Sequence, residues 1–214
     1  MTYIFLDSNV ILIYSVKIDY PDGKVIEHPH YQRLEPFFRV LIQAIQKGGA
    51  RVIESLTVFD ECEHKIDKVV EDSIEKTRNA TEGYLDFISL IRNKARKRLK
   101  DFLEMVDKPP IDVEQRDKIK KEKVIPLHTT LISENKIPMD RRWSDNDIKI
   151  LADATYLLQK NKYAPFYFCT TETCLVVGKR TKASRETTTI HIQDLIYPTL
   201  GFNTYFPNDI IPLI

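Results

Sequence analysis

The sequence predicts an α/β fold: a mainly parallel central sheet flanked by helices in three layers, with an extended helical insertion. Three observations predict it. Short apolar runs suited to buried strands stand at residues 3–6, in "RVIESL" and in "APFYFCTTE". Segments with apolar residues at helical spacing lie between those runs. Strands that alternate with helices are joined by right-handed crossovers, which cover both faces of the sheet.

The elements follow in order. Residues 3–6, "YIFL", form the first strand, and a helix follows from about Asn9 to Val16. "KIDYPDGKVIEHPH" reads as a loop, marked by Pro21, Gly23 and Pro29. Leu34, Phe37, Phe38, Leu41, Ile42 and Ile45 recur at helical spacing, and Gly48 and Gly49 stop that helix. "RVIESL" is the second strand. Thr57 with Asp60 three residues on resembles a capping box and starts a long helical segment reaching about Val106, broken between Asn79 and Gly83. Pro109 and Pro110 end it, and the polar stretch to Trp143 reads as a partly helical excursion. "SDNDIKILADATYLLQ" is an amphipathic helix, "APFYFCTTE" a strand and "TTTIHI" a last short strand. Residues 1–214 are expected to form one domain, with 62–143 as a helical elaboration inside it.

Composition bounds the function. With 43% hydrophobic and 29% charged residues the chain is of the soluble globular kind, and its net charge of +1 excludes a strongly basic nucleic-acid binder while leaving room for a local basic patch. Cys62, Cys169 and Cys174 show no paired metal spacing, and their odd number suits reduced thiols in the cytoplasm. The first strand begins almost at Met1 and no apolar run approaches a membrane span, so neither a targeting segment nor a membrane partner is expected.

The acids carry the chemistry. In open α/β sheets ligands bind at the carboxyl ends of the strands. Asp7 ends the first strand, and Glu61 lies in the first turn of the helix after the second. Asp145 and Asp147 begin the helix before "FYFCTTE", and Glu172 ends that strand. Singly, Glu61 or Asp147 is better explained as a helix cap than as a ligand. Asp7, set between apolar residues, is not, because an isolated buried carboxylate is costly. Four segments that each bring a carboxylate to one edge need a counter-charge, and Mg²⁺ or Mn²⁺ suits oxygen ligands. Such ions activate water and stabilise the leaving oxygen in phosphodiester cleavage.

These segments, "IFLDSNVIL", "SLTVFDECEHK", "SDNDIKILADATYL" and "FYFCTTE", resemble the motifs of the PIN-domain ribonuclease family. The resemblance implies a PIN-like fold and a metal-dependent endoribonuclease on single-stranded RNA. It implies Asp7, Glu61, Asp147 and Glu172 as metal ligands, with Asp145 an alternative to Asp147. Ser8, Asn9 and Thr170 are implied to shape the site by hydrogen bonds. It also implies RNA rather than DNA as the partner, and leaves room for a second copy or a protein partner. Glu172 departs from the family's usual Asp. The segment after Glu61 and the stretch to Trp143 exceed a minimal PIN domain.

Other features carry less. "IRNKARKRLK" supplies Arg92, Lys94, Arg96, Lys97, Arg98 and Lys100; Arg92, Arg96, Lys97 and Lys100 are candidate phosphate contacts, against a solvated helix face. Trp143 suits either base stacking or a core edge. Two further functions stay open. One is a catalytically silent PIN-like module for nucleic-acid binding or scaffolding. The other is a haloacid-dehalogenase-type phosphatase, against which Asn9 stands where that chemistry wants a second Asp.

Overall fold

The computed structural model describes residues 1–19, 25–75, 84–137, 142–183 and 186–214. Its centre is a four-stranded parallel sheet, flanked by helices, in the order β4 (Ala50–Ile53), β1 (Thr2–Leu6), β5 (Phe166–Cys169), β8 (Asn203–Tyr205). Phe5 pairs with Ile53 on one side of β1 and with Phe168 on the other. Strands buried on both faces read as continuous apolar runs, as "IFL" and "FYFC" do. Phe5 stacks on Phe168 at 5.5 Å, and Phe168 on Phe202 at 5.5 Å, so an aromatic row crosses the sheet.

The helix α1 (Ser8–Ser15) is apolar on nearly every side, and it is enclosed accordingly: Val10, Ile11, Leu12 and Ile13 are buried. Around it lie α2 (Tyr31–Gln46), α3 (Leu56–Glu75) and α4 (Tyr84–Glu104). The expected stop of α2 is present: Gly48 takes φ 71°, a left-handed conformation that lacks a steric penalty only for glycine. The helix α3 starts earlier than Thr57 suggests. Ser55 Oγ accepts from Val58 N at 3.3 Å, so Ser55 caps the helix and Thr57 lies inside it, nearly buried. The break expected between Asn79 and Gly83 lies outside the described residues; the two flanking helices are as expected.

The polar excursion is α5 (Val113–Ile119), a π-helical turn at Lys120–Val124 and α6 (Ile125–Ser133). It packs on α7 (Asp145–Asn161), and its anchor is charged: Arg116 Nη1 lies 3.3 Å from Asp153 Oδ1, which is fully buried. Trp143 is also buried there, with its ring stacked on His128 at 5.0 Å, so it closes a core edge.

Three features of the sheet content differ from the sequence reading. The loop before α2 contains a small antiparallel hairpin, β2 (Lys17–Asp19) with β3 (Val25–Glu27). "TTTIHI" falls in β7 (Glu186–His191), which pairs with β6 (Val177–Ala183) in an antiparallel hairpin after the short helix α8 (Thr173–Val176), separate from the central sheet. The fourth central strand is instead β8, between α9 (Gln193–Leu200) and α10 (Pro207–Ile210). Among the described residues no helix is long and apolar enough to cross a membrane.

Candidate functional site

Sheet register builds the site. The chain leaves β1 for β4 on one side, then crosses to β5 on the other, so the crevice between the carboxyl ends of β1 and β5 is the topological switch point. Leu6 pairs with Cys169. One residue further, Asp7 meets Thr170, whose Oγ1 donates to Asp7 Oδ2 at 2.7 Å. The same hydroxyl accepts from Glu172 N at 2.9 Å. Asn9, in the first turn of α1, donates from Nδ2 to Glu172 Oε1 at 2.6 Å. Ser8 Oγ lies 3.4 Å from Asp7 Oδ1. Asp7, Ser8, Asn9, Thr170 and Glu172 therefore form one connected group.

Glu61 and Asp147 complete it. Cys62 Sγ contacts Ser8 O at 3.7 Å, which seats the first turns of α3 beside α1. Burial pushes the Asp7 carboxyl up to about 7; the Thr170 hydrogen bond opposes this, and the charges of Asp147, Glu172 and Glu61 add to it. Burial also raises the Glu172 carboxyl, with Asp147 and Glu61 adding and Lys65 opposing. The four acids thus stand within electrostatic reach of one another. Asp147, not Asp145, is among the charges that Asp7 and Glu172 feel; Asp145 is exposed in the first turn of α7. Asp147 also caps its own helix: Ser144 N donates to its Oδ2 at 2.7 Å, and Ser144 Oγ accepts from its N at 3.1 Å.

Two side chains at the site have no place in the sequence reading. Glu54, the residue after β4, is buried and accepts from Leu6 N at 3.0 Å through Oε1, extending the strand ladder with a side chain. Burial raises its carboxyl well above the usual range; the Leu6 hydrogen bond opposes and the Asp7 charge adds. Its signal was present in "RVIESL", an acid at a strand end like Asp7. Lys65, one turn after Glu61, donates to Glu61 Oε1 in a short ion pair. Burial lowers its ammonium, but the Glu61 hydrogen bond and charge, then Asp7 and Asp147, outweigh that and raise it.

The donor set suits a hard cation in kind, since all four acids offer oxygen only and Glu61 Oε2 is buried without a hydrogen-bond partner among the described residues. It is not a closed cage: among the described residues no group of three or more His, Cys, Asp or Glu is arranged to hold a metal ion.

The basic run of α4 faces another way. Arg92 pairs with Glu71, and Arg96 forms a two-point contact with Asp67 at 3.0 and 2.6 Å. Arg98 turns inward and donates to Tyr14 O at 2.9 Å and Lys17 O at 3.2 Å, capping the end of α1. Asp67 follows Glu61 by six residues, about 240° round α3 at 100° per residue. The α3–α4 ladder therefore runs on a different side of α3 from the acids. Lys97 and Lys100 are exposed and make no ion pair among the described residues. His64 is exposed with Nδ1 on Asp60 O at 2.6 Å, turned onto its own helix.

No protein-family model matches the chain, and no curated protein matches it. Among solved structures it is similar to VapBC2 from Rickettsia felis, solved bound to a DNA fragment from its promoter. That similarity has 14% identity and a TM-score of 0.37, over 81% of this chain and 89% of the other.

Proposed function

We propose that the chain is a PIN-like, metal-dependent nuclease that hydrolyses phosphodiester bonds, most specifically an endoribonuclease on single-stranded RNA. Residues 1–214 are read as one domain and 62–143 as an elaboration of it, working in the cytoplasm on a nucleic-acid partner. The observation that carries this reading is the grouping of Asp7, Glu61, Asp147 and Glu172, from four separate segments, at the switch point of a parallel sheet. Like charges gathered in a largely buried group are poorly suited to structure alone and well suited to a cation.

In this reading Asp7, Glu61, Asp147 and Glu172 hold Mg²⁺ or Mn²⁺. Such an ion supplies Lewis acidity toward water and toward phosphate oxygens. The chain's own residues supply the rest. Thr170 fixes the rotamer of Asp7 and the backbone at Glu172. Asn9 orients the longer Glu172 side chain, which compensates for its extra methylene. Glu54 backs the site from within the sheet. Lys97 and Lys100 are the members of the basic run left to meet a polyanion.

A second reading, a module that binds without cleaving, is favoured by one feature: Glu61 is already paired with Lys65. One assay separates the readings. Labelled single-stranded RNA and DNA of one sequence, and a generic phosphomonoester, are incubated with the protein in Mg²⁺, in Mn²⁺ and in chelator. Internal RNA cleavage that needs the metal and is lost in Asp7→Asn supports the nuclease. Binding without cleavage in either metal supports the silent module, and hydrolysis of the monoester alone supports a phosphatase.

A further inference from the structure

Lys65 is placed unlike the other cations of α3. It lies four residues after Glu61, on the same helix face, and its ammonium contacts a carboxylate that is nearly buried. Side-chain exposure is 47% for Lys65 and 7% for Glu61, so the pair spans from solvent to the interior of the acid cluster. One Glu61 oxygen is taken by Lys65, while the other, Oε2, is buried and has no hydrogen-bond partner among the described residues. Asp7 and Asp147 act on Lys65 as well as Glu61 does. Among the described residues it is the cation within electrostatic reach of all four acids. Lys68, one turn beyond, is exposed and has no such contact among the described residues.

We propose that Lys65 is the site's own counter-cation: it neutralises Glu61 in the metal-free protein and yields that carboxylate when a divalent ion binds. The inference rests on the metal-site reading above and adds a competition to it. A lysine ammonium and a hard cation seek the same oxygen, and both cannot contact it at full strength. The lysine stays protonated throughout; only its partner changes. On a flexible four-carbon stem that is half exposed, it can swing into solvent without any backbone movement. The arrangement keeps the acids assembled when no metal is present, and sets a threshold concentration for loading.

The test measures metal binding and metal-free melting, not catalysis. Mn²⁺ is titrated by calorimetry into wild type, Lys65→Met, Lys65→Arg and the control Lys68→Met. Removal of the charge in Lys65→Met is expected to lower the metal-free melting temperature and to tighten Mn²⁺ binding several-fold. Lys65→Arg keeps the charge and is expected to bind Mn²⁺ as wild type does, as is Lys68→Met. Unchanged or weaker Mn²⁺ binding in Lys65→Met overturns the inference. So does equal tightening in Lys65→Arg, which would assign the effect to side-chain shape. If wild type binds no Mn²⁺, the metal-site reading fails first and the inference with it.

Discussion

Thr170 Oγ1 donates to Asp7 Oδ2 at 2.7 Å across the seam between β1 and β5. The contact follows from register alone, since Leu6 and Cys169 are paired one residue earlier. It sets a buried carboxylate at the sheet's switch point, among three others, and that setting governs how the molecule responds to pH.

Asp7 gives the clearest pH prediction. Its folded carboxyl sits at about 7, above the unfolded value of 3.8. The native state therefore holds a proton that the unfolded chain has lost, and stability falls as pH rises from about 4 to about 7. The loss is up to about 4 kcal/mol at neutral pH. In metal-free buffer Asp7→Asn is expected to be more stable than wild type at pH 7, with the difference closing below pH 4. Glu54 and Glu172 are raised too, so the variant's profile is flatter without being flat. Urea melts of both proteins across pH check this; parallel profiles would show that Asp7 is not raised.

Glu54 separates shape from charge. Glu54→Gln keeps an oxygen for Leu6 N and removes a buried ionisable group whose charged form burial disfavours, so it is expected to be neutral or stabilising. Glu54→Ala leaves that N–H unpaired and opens a cavity, at a cost of about 2–4 kcal/mol. Thermal melts of the pair decide; equal losses would mean that the carboxylate charge is needed.

Legibility from sequence tracked how local each signal was. Asp7, Asn9 and Glu172 stood out because acids and amides at strand ends contradict their apolar surroundings. The strands β1 and β5 were legible as uncharged runs, and β4 as the apolar pair inside "RVIESL". The strand β8 was not, since "NTY" has three residues and owes its place to pairing with β5. Glu54 looked like one polar residue in a strand, and only the β1–β4 register shows its bond to Leu6. The bases of α4 read as phosphate contacts or as a solvated helix face. Their match to the acids of α3, Glu71 with Arg92 and Asp67 with Arg96, needs the antiparallel helix pair that periodicity cannot reveal.

That match predicts a division within the basic run. Arg96→Glu sets like charges against Asp67 and is expected to lower the melting temperature modestly, because the pair is exposed. The double variant Lys97→Glu/Lys100→Glu should leave melting unchanged, weaken RNA binding for unrelated sequences alike, and make its salt dependence shallower. Binding isotherms in a salt series, in the Asp7→Asn background, check it. Unchanged affinity and slope would return α4 to a purely structural role.

Arg116 holds the helical excursion to α7 through Asp153, whose second oxygen has no hydrogen-bond partner among the described residues. Arg116→Ala strands a buried charge and is expected to cost about 3–5 kcal/mol. Adding Asp153→Asn should recover part of that loss. Additive losses in the double variant would show that the two side chains do not interact.

Mn²⁺ binding followed by electron paramagnetic resonance decides whether acids from four segments make one cation site. Wild type is expected to remove the free Mn²⁺ signal stoichiometrically, and Asp7→Asn and Glu172→Gln are each expected to weaken binding while remaining folded. Asp145→Asn, outside the group, should bind as wild type does. Wild-type protein that leaves the free Mn²⁺ signal intact, or Asp7→Asn that binds equally well, would contradict such a site.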